Sequence, residues 1–100
     1  MFSTKFILDG SAEILLQPVR FKIWKLLKDN KRAMYIDEIS NKIGIQPRLV
    51  SYHIDILESK KFLITHYEIQ QGNLKRGIVV RLCELTPHAI EVLKDIKESI

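Results

Sequence analysis

The chain has 100 residues, a length that fits one domain. With 46% hydrophobic and 28% charged residues, 4 glycines and 3 prolines, its composition excludes a disordered or low-complexity chain. The formal net charge of +4 is compatible with binding a polyanion but does not require it.

The single cysteine, Cys83, excludes an intrachain disulfide and a metal site built from several cysteines. It fits a reducing cytoplasm, which is the expected location. Cys83 lies in an apolar run and is expected to be a buried strand residue, with redox sensing as the alternative. The chain shows neither a signal-peptide pattern nor an apolar run of the roughly 20 residues that a membrane span needs. We therefore expect no membrane partner.

The N-terminal segment, residues 1–17, is the least regular part of the sequence. Its second half, Ser11–Gln17, predicts a short helix that packs on the rest of the chain, because its apolar residues are too many for a free tail. Pro18 then begins a clearer helix that extends to about Asn30. Apolar residues recur there at helical spacing, at Val19, Ile23, Leu26 and Leu27.

Two aromatic residues of this helix, Phe21 and Trp24, fall on a second side, away from the apolar stripe. One interpretation is that they pack against residues 1–17 or the C-terminal helix, since large aromatic side chains usually fill cores. The other is that they form a subunit interface. Both interpretations hold together if the interface consists of terminal helices.

After a polar turn at Asn30–Met34, two helices are predicted with a tight turn between them. The first, about Ile36–Ile43, ends at Gly44, which is suited to the left-handed position that follows a helix. The second, about Pro47–Ser59, begins on a proline, as many helices do.

The helix at 47–59 is amphipathic, and His53 lies at the edge of its apolar face. Val50, Ile54 and Leu57 form that face, Leu49 and Ile56 form a flanking apolar strip, and Arg48, Ser51, Tyr52 and Asp55 lie opposite.

The spacing of the apolar residues then changes to that of strands. The runs Phe62–Gln70 and Ile78–Leu85 predict a β-hairpin, and the loop between them contains two glycines and two cations. Thr86 and Pro87 supply an N-cap and a first-turn proline for a last helix, His88–Ser99. Ala89, Ile90, Leu93 and Ile96 have helical spacing there.

This order of elements predicts an α+β winged helix-turn-helix, in which residues 1–100 form a single domain. It has a three-helix core, a two-stranded hairpin that forms the wing, and extra N- and C-terminal helices.

The sequence resembles the arsenical-repressor-like (ArsR-like) winged-helix regulators from about Leu15 to Leu85. The resemblance is carried by P-x-R-x-x-I-x-x-L-L at 18–27, D-E-I-x-x-x-I-G-I at 37–45 and V-S-x-H-I-x-x-L-E at 50–58. It implies a DNA-binding regulator. Matched by position, the groove-facing residues are Gln46, Arg48, Ser51 and Tyr52, and the wing-tip residues are Lys75 and Arg76.

Several positions that match or depart from this family bear on helix capping and metal binding. His53 matches a half-buried position and is expected to be neither catalytic nor a metal ligand. Tyr35 stands where the family often has a Ser or Thr cap, and its hydroxyl can reach a phosphate. The family's metal sensors use a Cys-x-Cys pair, which is absent at Ile39–Ile43, and the last helix supplies only His88 and Glu91 of a second kind of site. We therefore expect no metal and no cofactor.

The expected function is sequence-specific binding of double-stranded DNA by a homodimer that regulates transcription, without enzymatic activity. Arg48 has the chemistry to read guanine and Gln46 to read adenine in the major groove, while the wing, residues 70–77, contacts the flanking minor groove or backbone. The expected dimer interface contains Phe21, Trp24, Leu93 and Ile96. The alternative is a winged helix that contacts another protein of the transcription machinery, which the apolar strip beside the recognition face favours.

Overall fold

Five helices and three strands make up the described part of the chain, residues 10–71 and 77–99, in this computed structural model. In chain order they are α1 (Ser11–Leu16), α2 (Pro18–Asn30), β1 (Met34–Tyr35), α3 (Ile36–Ile43), α4 (Pro47–Ser59), β2 (Leu63–Gln71), β3 (Gly77–Leu85) and α5 (Pro87–Ser99).

The helix boundaries follow from local signals in the sequence. At the start of α2, the side chain of Gln17 accepts a hydrogen bond from the backbone N–H of Arg20 (2.9 Å). Gly44 ends α3 with φ 70°, a left-handed conformation that glycine adopts without a steric penalty. Pro47 begins α4 at its first turn. The predicted bounds of α2, α3 and α4 are thereby confirmed.

The sheet contains one strand more than the predicted hairpin, in the order β1-β3-β2 and antiparallel throughout. The sequence prediction of a polar turn through Met34 is wrong at its end, because Met34 pairs with Cys83 and Tyr35 pairs with Leu82. A strand of two residues is too short for an alternating pattern, so only its pairing with β3 defines it.

The hydrophobic core lies between the helices and one face of the sheet. Apolar residues of α2, α3, α4, β1 and β3 are buried in it together with Leu15 from α1. The predicted packing face of α4 is confirmed, since Val50, Ile54 and Leu57 are all fully buried. This burial leaves the opposite face of α4 toward solvent, as in any amphipathic helix at a protein surface.

The last helix, α5, is capped as the sequence predicts. Thr86 accepts a hydrogen bond at Oγ1 from the backbone N–H of Ala89 (3.2 Å) and donates its hydroxyl to the carbonyl of Lys61 (2.6 Å). The predicted apolar stripe of α5 is partly wrong, because Val92 is buried beside Ala89 whereas Ile90 is half-exposed. The orientation of α5 on the body, which sequence spacing does not determine, decides which of these side chains is buried.

The two terminal helices contact each other, since α1 packs against both α2 and α5. None of the described helices combines the length and apolar character that crossing a bilayer requires.

Candidate nucleic-acid interface

The turn between α3 and α4 is held by one buried residue, Ser40, through its backbone carbonyl and its side-chain hydroxyl. Its carbonyl accepts from the backbone N–H groups of Gly44 (2.9 Å) and Ile45 (3.2 Å), and its hydroxyl donates to the carbonyl of Ile45 (2.5 Å). Because these bonds lie on both sides of the turn, they set the direction in which α4 leaves α3. Sequence reasoning missed Ser40, whose only signal is a small polar residue four positions before the glycine.

The predicted reading residues lie at the N-terminal end of α4. Gln46, Arg48 and Tyr52 are exposed and Ser51 is half-buried. The side chain of Gln46 makes no capping bond to the first turn of α4, and within the described residues Arg48 forms no ion pair. Three of the four predicted reading residues are therefore exposed, and all four lie in the N-terminal half of α4 or immediately before it.

The C-terminal half of α4 is acidic, and its carboxylates are engaged by the wing. Nη1 of Arg81 in β3 lies 2.7 Å from Oδ1 of Asp55, and Nη2 lies 3.1 Å from Oε1 of Glu58. Burial lowers the pKa of the Arg81 guanidinium, but the hydrogen bond and charge of Asp55 outweigh it and raise the pKa overall. The exposed carboxylate that the helical wheel placed beside Arg48 is thus paired with a cation.

The middle of α4 is tied to the N-terminal helices through His53. Nη1 of Arg20 lies 3.2 Å from Nδ1 of His53, while Nε of Arg20 donates to the carbonyl of Ile14 (2.6 Å). A guanidinium can only donate, so Nδ1 must be the unprotonated ring nitrogen for this contact to be a hydrogen bond. Burial and then the charge of Arg20 lower the pKa of His53. His53 is buried, more deeply than the half-buried position expected from the resemblance.

The wing changes from buried to exposed along the face that meets α4. Near its base Leu63 and Cys83 are buried, whereas farther out Tyr67, Ile69 and Val79 are 68%, 69% and 63% exposed. A groove of about 300 Å³ separates this part of the wing from α4 and the start of α3, and it is lined by Tyr35, Ile36, Asp37, Ser51, Tyr67, Val79, Val80 and Arg81. The groove has the polar edge of α4 on one side and apolar strand residues on the other.

Tyr35 immediately precedes α3, and its hydroxyl, which is expected from the sequence to reach a phosphate, is bound within the protein. Its hydroxyl donates to Oε2 of Glu68 (2.9 Å), which raises the pKa of the Tyr35 phenol. Its backbone N–H donates to Oε1 of Glu38 (3.2 Å), which is the bond that the third helical residue contributes to a capping box. A phenol engaged by a carboxylate is not available for a phosphate unless that bond breaks.

Two of the predicted site residues, Lys75 and Arg76, lie outside the described residues, as does the side chain of Ile96. Among the predicted interface residues, Phe21 and Leu93 are half-buried. Trp24 is only 2% exposed and stacks against Phe21, with 5.8 Å between ring centroids. Trp24 therefore packs within one chain, which leaves little of it for a partner.

Two exposed apolar residues of the terminal helices, Leu16 and Ile90, were missed as interface candidates. Helical spacing does not distinguish an apolar residue that packs on the body from one that is exposed, so only the structure separates these two from their buried neighbours. They lie on α1 and α5, which pack together.

Cys83 is buried in β3, as predicted, and its surroundings disfavour the thiolate. Burial raises the pKa of the Cys83 thiol to about 11. A thiol that stays protonated reacts slowly with oxidants, which are attacked by the thiolate. In the described part of the chain, no group of three or more His, Cys, Asp and Glu residues is arranged to hold a metal ion.

Two helices, α2 and α3, pack against α4, and the long hairpin of β2 and β3 follows it in the chain. This arrangement defines a winged helix-turn-helix protein. The fold is similar to the structure of a transcriptional regulator homologue from Pyrococcus horikoshii OT3, with a TM-score of 0.66 and 24% sequence identity. The match covers 85% of this chain and 82% of that chain. No protein-family model matches the chain, and no curated protein gives a significant match. At this identity the likeness shows the fold, and the predicted fold class is confirmed.

The depressed pKa of His53 predicts a loss of stability in mild acid. The unfolded chain, with a histidine pKa of about 6.5, binds the proton more readily than the folded chain does. The stabilisation is therefore present above about pH 6.5 and is lost as the pH falls through the lower folded pKa. We expect urea unfolding to give a smaller free energy of unfolding at about pH 5.5 than at pH 7.5.

The matched variant is His53→Asn, whose side-chain oxygen replaces Nδ1 as an acceptor for Arg20 and does not titrate. We expect this variant to lose most of the pH dependence, because residue 53 no longer binds a proton in either the folded or the unfolded chain. The same pH dependence in both proteins would show that His53 is not its source.

Proposed function

We propose that this protein is a sequence-specific regulator of transcription that binds double-stranded DNA as a homodimer in the cytoplasm. In this proposal α4 enters the major groove, and the wing, residues 70–77, contacts the flanking minor groove or backbone. The ArsR-like resemblance of the sequence supports this assignment, as does the structural similarity to the transcriptional regulator homologue from Pyrococcus horikoshii OT3. No cofactor and no enzymatic step belong to the proposal.

The observation that carries the proposal is the division of α4 into two ends of different character. At its N-terminal end Gln46 and Arg48 are exposed, and Arg48 forms no ion pair with any residue that the structure describes. The carboxylates of its C-terminal half are instead held by Arg81. Helix-turn-helix proteins contact base edges with the N-terminal residues of the recognition helix. Arginine binds O6 and N7 of guanine and glutamine binds N6 and N7 of adenine, so this end of α4 has suitable chemistry.

The lengths of the elements fit this arrangement. Thirteen residues of α-helix extend about 20 Å, and a helix with its side chains is about as wide as the major groove. The nine-residue strands of the wing extend roughly 30 Å. The wing therefore reaches well past the helices toward neighbouring parts of a duplex.

A homodimer is proposed because one winged domain contacts few bases, and two-fold symmetry doubles the contacts on a pseudo-palindromic site. The supporting observation is the exposure of Leu16 and Ile90 on terminal helices that already pack together. Phe21 and Leu93, both half-buried, extend this apolar surface in the proposal.

A second candidate function, contact with another protein, is favoured by the exposed apolar residues beside the polar end of α4. Leu49 and Tyr52 on α4 and Ile69 and Val79 on the wing are all exposed. Aromatic and apolar side chains of this kind form the centres of many protein interfaces. The two functions differ in their response to salt, because DNA binding releases counterions.

Replacement of Arg48 by alanine tests the DNA-binding proposal. Binding is measured by fluorescence anisotropy on a duplex recovered by selection from a random pool, over a range of salt concentrations. We expect the wild-type affinity to fall steeply with salt, and Arg48→Ala to lose about 1–3 kcal/mol of discrimination against a duplex with the contacted base pair changed.

The control is Lys25→Ala, which removes an exposed cation from α2 and leaves α4 intact. We expect it to retain the preference for the selected duplex. If salt and Arg48→Ala leave the affinity unchanged, DNA recognition by α4 is excluded and the protein-contact function is favoured.

The dimer proposal predicts that a charge at Ile90 separates the subunits. Light scattering at micromolar concentration is expected to give the mass of a dimer for the wild type and of a monomer for Ile90→Lys. The matched control is Ile64→Lys, since Ile64 is 47% exposed, Ile90 is 50% exposed, and Glu84 lies opposite residue 64 in the sheet. A monomeric wild type, or a dimeric Ile90→Lys, contradicts the proposed interface.

A further inference from the structure

Arg81 joins the wing to the recognition helix at the edge of the buried core. Its side chain is 9% exposed, and its two terminal nitrogens contact carboxylates of α4 that are 65% and 41% exposed. The guanidinium also lies over the ring of Tyr67 in the neighbouring strand, with Cζ 5.7 Å from the ring centroid. A cation at this place is held from three sides, by Asp55, Glu58 and Tyr67.

Glu58 extends the connection to the other strand of the wing. One of its oxygens accepts from Arg81 in β3, and the other accepts from the backbone N–H (3.2 Å) and the hydroxyl (2.5 Å) of Thr65 in β2. One carboxylate of α4 therefore binds both strands of the hairpin. Because its two oxygens are a fixed distance apart, the hairpin is held in position along the helix and is restrained from rotating about a single contact.

Arg81 lies partway along the wing, between its buried base and its exposed outer part. Thr65 pairs with Cys83, Tyr67 with Arg81, and Ile69 with Val79, so one face carries all of them in alternating register. Cys83 is buried in the core, whereas Ile69 and Val79 extend into solvent. Arg81 thus lies at the boundary between the supported base of the wing and its unsupported outer part.

Ion pairs of this kind define a geometry more reliably than they add stability, because desolvation of the charges offsets much of their attraction. Arginine suits such a role, since its planar fork binds two carboxylates at once and a lysine ammonium is a single point charge. Arg81 contacts α4 only through the carboxylates of Asp55 and Glu58 among the ion pairs of the described residues. Both lie C-terminal to the end of α4 that we propose to read bases.

We propose that Arg81 is a positioning residue for DNA recognition, which fixes the wing relative to α4 so that both engage one duplex in register. This inference rests on the proposed DNA-binding function. Arg81 itself touches no DNA in this arrangement. Its role is to hold the outer wing at the distance from α4 that separates a major-groove contact from the flanking backbone contact.

The first test uses the free protein and needs no DNA. Residual dipolar couplings of backbone amides are measured for α4 and for the wing segments 63–70 and 79–85, in the wild type and in Arg81→Gln. We expect one alignment frame to describe both parts of the wild type, and the wing couplings of Arg81→Gln to depart from the frame of α4. A single common frame in Arg81→Gln overturns the positioning role.

The second test separates positioning from simple charge. In the wild type the charges of Asp55, Glu58 and Arg81 sum to −1. In Arg81→Gln only the two carboxylates remain charged, and the sum is −2. In the triple variant Asp55→Asn/Glu58→Gln/Arg81→Gln the sum is 0. If repulsion of phosphates by uncovered carboxylates were the only effect, the triple variant would bind DNA at least as tightly as the wild type.

Positioning predicts instead that Arg81→Gln and the triple variant both bind the selected duplex more weakly than the wild type. The slope of log affinity against log salt should also become shallower in both, by roughly 0.9 for each phosphate contact that the wing loses. Arg81→Lys is expected to be intermediate, and Glu84→Gln on the opposite face of β3 is expected to match the wild type. Wild-type affinity and slope in the triple variant overturn the proposal.

The two tests also distinguish this inference from the function on which it rests. If the wild type binds no DNA recovered by selection, the proposed function fails and, with it, the role in recognition. The dipolar couplings then still decide whether Arg81 orients the wing.

Discussion

The burial of one face of α4 is the constraint on which the rest of the structure depends. Val50, Ile54 and Leu57 are fully buried, and replacing Ile54 or Leu57 by alanine would cost about 2–5 kcal/mol. A helix fixed on one side by such packing has no freedom to rotate about its axis. Its polar face must therefore point outward, and the N-terminal residues that we propose to read DNA are exposed as a consequence of core packing.

Hydrophobic contacts restrain α4 but do not determine how the neighbouring elements are arranged around it. A few polar groups determine that arrangement. Ser40 sets the turn before α4, Arg20 joins α4 to the carbonyl of Ile14 through His53, and Glu58 and Arg81 join its far end to the wing. Each of these groups is at least partly buried, where an unpaired polar atom is costly, so each contact selects one arrangement of two elements. Helix α4 is thus oriented at its beginning, middle and end by different parts of the chain.

Much of the fold was predictable because strong local signals mark its boundaries, such as the glycine at 44 and the proline at 47. The strand β1 was not predictable, since two residues have no periodicity and Met34 is in a strand only because it pairs with Cys83. The exposure of Ile90 and the pairing of Asp55 with Arg81 depend on how α5 and the wing pack against the body. Sequence spacing on one element carries no information about such contacts between elements. The candidate reading residues of α4 were identified from one helix alone, and for that reason their exposure could be anticipated.

The central claim is that the N-terminal end of α4 enters the major groove while the wing lies on the flanking DNA. The most direct measurement is the change in backbone amide chemical shifts when the ¹⁵N-labelled protein is titrated with its selected duplex. If α4 enters the major groove and the wing lies on the flanking DNA, large changes are expected at residue 46, at residues 48–52 and along the outer wing, with small changes on the exposed side of α2. Changes confined to α1 and α5, with residue 46 and residues 48–52 unaffected, would contradict this claim.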